Sequence, residues 1–215
     1  MEEHQKTQQD VTELGNPRKP QGEEGVQMLE RMNNSHAAVT AWAFSFLDVK
    51  EDDRILDVGC GGGAALARLS ARAPKGHLAG VDYSSVSVQE SRNHNRADVE
   101  TGKMEILEGS VEALPFPDDQ FDKIVTVESF YFWPNPVEDL KEVRRVLKKD
   151  GIFLLTADIY QKEGLSEETL EIIRKYQLLN PTPDEFRDMF CQAGFTDIVV
   201  RTEPGTDWIC VEGRK

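Results

Sequence analysis

Leu56-Asp-Val-Gly-Cys-Gly-Gly-Gly-Ala64 is the stretch whose reading decides the fold. Before it, Arg54-Ile-Leu-Asp-Val58 has the length and apolar content of a buried strand, and after it Ala64 to Ala73 reads as a helix. Glycines between a strand and a helix let the backbone turn tightly and approach a ligand without Cβ collisions, so a nucleotide-like ligand is expected here. The spacing Gly59-x-Gly61-x-x-Ala64 also satisfies the dinucleotide fingerprint that admits alanine in its third place. By itself the turn leaves two families of adenosine cofactor open.

Working outward, strand and helix alternate. His77 to Asp82, Met104 to Glu108, Phe121 to Val127 and Ile152 to Ala157 read as further strands, with helices over Ser84 to Ala97 and Val137 to Lys148. Parallel strands need crossovers, usually helical, so the fold class is α/β: a Rossmann-like, doubly wound, mostly parallel sheet with helices on both faces. Ligands then sit at the carboxyl ends of the strands. Towards the end, a helix from Thr182 to Ala193 precedes strands at Ile198 to Thr202 and Trp208 to Glu212. The five residues Glu203 to Asp207 are too few for a crossover, so this pair closes as an antiparallel hairpin. On the amino-terminal side, Ala37, Ala38, Ala41, Trp42, Phe46 and Leu47 recur at helical spacing, with Ser35 as the expected N-cap. Residues 1–24 are polar, carry two prolines and show no apolar period; a flexible arm or loosely docked lid is expected there. Residues 25–215 form a single domain, with an insertion at 161–180 as a cover for the substrate.

Composition narrows the partners. With 39 acidic against 25 basic residues the formal charge is −14, a field that repels phosphate backbones and anionic membrane surfaces. Neither nucleic acid nor a membrane is an expected partner, and no apolar run approaches the ~20 residues of a membrane span. The amino terminus lacks the pattern of a secretory signal, which favours a cytoplasmic protein. Cys60, Cys191 and Cys210 are scattered and odd in number, and no His/Cys/carboxylate spacing indicates a metal, so none is expected. The oligomeric state is left open.

Two carboxylates stand beside the glycine turn; the first bears on the choice of cofactor, the second on a ribose that both cofactors carry. Asp57, two residues before the first glycine, lies at a strand tip where it can act on the cationic amino group of an amino-acid moiety, a group that a nicotinamide cofactor lacks. Asp82, at the end of the second strand, is placed to accept hydrogen bonds from ribose hydroxyls. No Tyr-x-x-x-Lys pair occurs at any of the four tyrosines. With Leu56–Ala64 and the later segment Gly109-Ser-Val-Glu-Ala-Leu-Pro-Phe-Pro-Asp-Asp-Gln-Phe-Asp122, the chain resembles the class I S-adenosylmethionine-dependent methyltransferases, in particular their small-molecule branch. The terminal hairpin agrees with that family's seven-stranded sheet, whose last strand inserts antiparallel.

The resemblance implies S-adenosylmethionine as cofactor, S-adenosylhomocysteine as product, and a small-molecule methyl acceptor. Cofactor contacts are expected from Asp57, Gly59, Cys60, Gly61, Asp82, Tyr83, Ser110, Val111, Glu112 and Glu128. Ser110 stands where the family often has an acidic residue facing the adenine amino group; a hydroxyl can accept the same bond. For the acceptor side the candidates are His36, as base or ligand, Tyr131 in the aromatic run Phe130-Tyr-Phe-Trp133, and Tyr160, with Asp158 beside it. Each also suits a structural role. Two rival readings stand beside methyl transfer: a nicotinamide oxidoreductase, and a cofactor-binding scaffold without turnover.

Overall fold

Residues 7–215 are described by the structure, a computed structural model. In chain order the elements are α1 Gln8–Gly15, α2 Gly22–Ser35, α3 Ala37–Phe44, β1 Arg54–Val58, α4 Ala64–Arg72, β2 His77–Asp82, α5 Ser85–His94, α6 Arg96–Glu100 and β3 Met104–Glu108. They continue with β4 Phe121–Val127, α7 Pro136–Val146, β5 Leu147–Ala157, α8 Glu167–Tyr176, α9 Pro183–Gln192, β6 Thr196–Thr202 and β7 Ile209–Arg214. The strands form one sheet in the order β3-β2-β1-β4-β5-β7-β6. The pairings from β3 through β5 are parallel, and β7 is antiparallel to both of its neighbours. The order reverses between β1 and β4, which opens a crevice at their carboxyl ends.

Side-chain alternation sorts the strand residues onto two apolar layers. Leu56 and Val58 of β1 join Phe121, Ile124, Phe153 and Leu155 beneath Leu140 and Val143 of α7 and Phe186 and Phe190 of α9. Ile55, Leu78, Val125 and Leu154 face the other way, against Ala43 and Phe44 of α3 and Leu66 and Leu69 of α4. Phe153 and Phe190 stack with centroids 5.4 Å apart, tying α9 to the sheet centre. The terminal helix starts on a capping box, in which Thr182 Oγ1 accepts from Glu185 N and Thr182 N donates to Glu185 Oε2.

Several boundaries differ from the sequence reading. The polar arm, so far as residues 7–24 describe it, carries helix α1 and the start of α2. Here Thr7 and Asp10 make a capping box, and the pairing of α1 on α2 supplies burial that an apolar period would otherwise announce. Its first six residues, with His4, lie outside the described residues. Ser35 caps no helix: it is the last residue of α2, and His36 is the hinge residue between α2 and α3. The helix expected over Ser84 to Ala97 breaks at Asn95, whose side-chain amide donates to Gly63 O at 3.0 Å and Ser91 O at 2.9 Å.

Candidate active site

The glycine turn is built as its sequence requires. Gly59 N and Cys60 N both donate to Val81 O, at 2.7 and 3.1 Å, which fastens the tip of β1 to that of β2. Gly59 has φ 75°, and a Cβ there would collide with the Ser129 side chain. Ser129 is fixed in turn, since its Oγ donates to Val58 O at 3.0 Å. Asn33 of α2 donates from Nδ2 to Gly62 O at 3.1 Å, so the turn is held from above as well. Gly59→Ala combines a left-handed backbone with this collision and is expected to destabilise the fold by about 1–3 kcal/mol. Thermal melts would record a fall of several degrees; an unchanged midpoint would contradict the geometry.

Two buried carboxylates flank the turn. Asp57 is 1 % exposed, and neither of its carboxylate oxygens has a hydrogen-bond partner among the described residues. Burial first, and the nearby charge of Asp82 second, push its pKa up to about 8. Asp82 accepts from Gly61 N through Oδ2 at 3.0 Å and from Ser84 N through Oδ1 at 2.9 Å. Its pKa is also raised by burial, against the opposing effect of these amide bonds. It therefore joins the glycine turn to the start of α5, and each oxygen keeps capacity for a further donor.

A cavity of about 320 Å³ lies over the carboxyl ends of four strands. Its walls include Asp57, Gly59, Cys60 and Gly61 after β1, Asp82 and Tyr83 after β2, Ser110, Val111 and Glu112 after β3, and Glu128, Ser129, Phe132 and Trp133 after β4. Every residue expected to touch the cofactor is thus brought to one cavity. Ser110 and Glu112 pair with each other, Ser110 Oγ donating to Glu112 Oε2 at 3.1 Å. His36, Leu29, Asn33 and Thr40 line the opposite wall, and Pro17, Arg18 and Pro20 from the link between α1 and α2 complete the lining. That link is tied to the second strand's exit: Ser84 Oγ donates to Pro20 O at 2.6 Å and Tyr83 Oη to Arg18 O. The insertion at 161–180, expected as the substrate cover, contributes no described residue to the lining; its helix α8 has no fully buried residue, and Pro17, Arg18 and Pro20 of the arm line the cavity instead. Arg18 and Pro20 were missed in the sequence because a Pro-Arg-Lys-Pro link carries no motif.

Of the three acceptor-side candidates only His36 lines the cavity. Tyr131 is buried in the wall behind it, with its hydroxyl 2.6 Å from Glu128 Oε2 and 2.8 Å from Asp158 Oδ1, while the neighbouring Phe132 and Trp133 face the space. The cause is local: Phe130–Phe132 forms a single 3-10 turn, which sends successive side chains in different directions. Tyr160 is 9 % exposed and outside the lining, its ring beneath the Lys162 ammonium at 5.4 Å. Ligand atoms of His36, Glu128 and Asp158 all lie within 4.8 Å of one another. Their separation along the chain hid this cluster from the spacing argument that anticipated no metal-type grouping. Glu128 stands at φ 56°, and its Oε1 has no partner among the described residues. Burial and the Asp158 carboxylate raise its pKa well above normal, whereas burial lowers that of His36.

Among known families, residues 56–155 match the one described as a methyltransferase domain. The chain is 31% identical over 143 residues to a protein of Bacillus subtilis named as a methyltransferase, YrhH, covering 66% of this chain and 73% of that one. It is 30% identical over 152 residues to 2-methyl-6-phytyl-1,4-hydroquinone methyltransferase 1 of Oryza sativa subsp. japonica, covering 69% and 42%. The chain spans about two fifths of the length of the plant relatives of that name. Human N-acetylserotonin methyltransferase, solved in complex with S-adenosylmethionine, superposes with a TM-score of 0.73 at 16% identity, over 89% of this chain and 56% of that one, a likeness of fold.

Proposed function

The chain belongs to the class I S-adenosylmethionine-dependent methyltransferases, and from that premise we propose that it transfers a methyl group to a small-molecule acceptor held in the cavity above β1, β2 and β4. The observation that carries this reading is Asp57: a buried carboxylate with two unpartnered oxygens on the wall of a nucleotide-type cavity fits an ammonium-bearing ligand. The residues present suit the cofactor throughout. Asp57 would take its amino group, Asp82 its ribose hydroxyls, and Tyr83, Ser110 and Val111 its base, with Glu112 beside them. Gly59, Cys60 and Gly61 would let it approach the backbone, and Glu128 would face its reactive end.

When bound, S-adenosylmethionine supplies an already activated methyl on a sulfonium, and leaves as S-adenosylhomocysteine after transfer. What remains for the protein is alignment and exclusion of water. Phe132 and Trp133 give the acceptor an apolar wall, the Pro17–Pro20 link shields the cavity, and His36 on the opposite wall is placed to take a proton from the acceptor. Tyr131 acts as a positioning residue through Glu128 and Asp158. Tyr160 is a support for the wall. The family removes the nicotinamide reading of the glycine turn.

Calorimetric titration of the full chain with S-adenosylhomocysteine tests the proposal. Saturable binding at one site, with a rise in melting temperature that grows with ligand concentration, is expected. Absence of both heat and thermal shift would end it.

A further inference from the structure

Glu128, Tyr131 and Asp158 do not balance their protons. The Tyr131 hydroxyl lies within hydrogen-bond distance of both carboxylates, and Asp158 N donates to its oxygen at 2.9 Å. A hydroxyl carries one proton and can donate to one carboxylate alone. The other contact needs a second proton, which the raised pKa of Glu128 lets that carboxyl hold, or a cation that takes the proton's place. Glu128 is 8 % exposed, lines the cavity, and leaves Oε1 without a partner among the described residues. It holds that position at the cost of a left-handed backbone. Opposite stands His36, with a ring nitrogen within 4.8 Å of both carboxylates, and the wall beside them carries Trp133 and Phe132, the latter with the Arg18 guanidinium over its ring at 5.2 Å.

We infer that the methyl acceptor is an amine on an apolar body, which enters as an ammonium and is held at Glu128, backed by Asp158 and beside Phe132 and Trp133. This rests on the methyltransferase reading above and narrows it. Carboxylates paired with ring faces are the surroundings an ammonium requires when it leaves water. An anionic acceptor would meet Asp158 and a Glu128 carboxyl that resists ionising, and a neutral hydroxyl would supply no charge to replace the Glu128 proton.

The step balances. The ammonium gives one N–H proton to the neutral imidazole of His36, leaving an amine with a free lone pair. That nitrogen attacks the methyl carbon in line; the C–N bond forms as the C–S bond breaks, and the electron pair stays on sulfur as a neutral thioether. The product is the methylated ammonium, and His36 returns its proton to water as the cavity opens.

The test uses the full chain saturated with S-adenosylhomocysteine, whose own binding is measured first. Phenethylamine, 2-phenylethanol and phenylacetate are then titrated as probes of one shape and three charges. The amine is expected to bind at least tenfold more tightly than the alcohol, with phenylacetate weakest. Glu128→Gln and Asp158→Asn should each cut the amine-to-alcohol ratio to within about threefold of unity, a ratio that a general loss of packing would leave unchanged. Equal binding of amine and alcohol, or an amine preference untouched by both substitutions, overturns the inference while leaving the methyltransferase reading intact. So does saturable binding of manganese(II) that Glu128→Gln abolishes and the amine fails to displace, which would make the cluster a metal site. Failure of S-adenosylhomocysteine to bind overturns both readings.

Discussion

Asp82→Ala is expected to weaken S-adenosylhomocysteine binding by on the order of 100-fold or more, because hydrogen bonds to a charged group contribute roughly 1.5–3 kcal/mol each. Two ribose hydroxyls would lose their acceptor together. The same carboxylate also holds Gly61 N at 3.0 Å and Ser84 N at 2.9 Å, so removing it frees the glycine turn from the start of α5. The two contributions separate with Asp82→Asn, whose remaining carbonyl keeps one acceptor but loses the charge. Calorimetry should rank the affinities as wild type, then Asn, then Ala, while melts without ligand show a smaller loss for Asn than for Ala. An Ala variant that binds within threefold of wild type would remove Asp82 from the site.

Asp57→Asn is expected to act in opposite directions on stability and on binding. With its pKa raised to about 8 against an unperturbed 3.8, the folded chain holds this proton more tightly than the unfolded chain does. Stability contributed in this way is complete below pH 3.8 and is lost as pH rises through about 8. Asparagine does not titrate, so the variant should melt progressively higher than wild type as pH is raised from 6 to 8. Binding runs the other way. An ammonium-bearing ligand needs Asp57 ionised, so wild-type affinity should climb with pH below about 8, by up to about tenfold per unit, with a proton released on binding. The Asn variant should bind at least tenfold more weakly at pH 8 and lose that pH dependence. Titrations in two buffers of different ionisation enthalpy would show the proton directly; a flat wild-type profile between pH 6 and 8 would show that Asp57 carries no such charge.

The glycine-turn wall of the cavity was legible in the chain because it is local. Asp57, Gly59, Cys60 and Gly61 lie within five residues, and the strand-turn-helix that presents them needs only its own apolar run and its glycines. Asp82, Ser110 and Val111 follow from the same rule applied at the next two strands, since parallel strands deliver their carboxyl ends to one edge of the sheet. The other walls of the cavity were less legible. Tyr131 and Tyr160 were chosen for their chemistry, yet a 3-10 turn after β4 put Phe132 and Trp133 on the cavity and Tyr131 behind it. The arm was read as flexible because α1 lacks an apolar period; its helix rests on a cap and on packing against α2, which composition does not carry.

What the sequence determined by itself was the sheet, its switch point, the closing hairpin and the glycine turn, because each is written in periodicity, glycine placement and connection length along adjacent residues. The tertiary structure alone decided which groups cluster beside that turn. His36, Glu128 and Asp158 are far apart in the chain and come within 4.8 Å of one another because α2, β4 and β5 all end at the same crevice. Their charges shape one another there, since burial removes the water that would otherwise screen them.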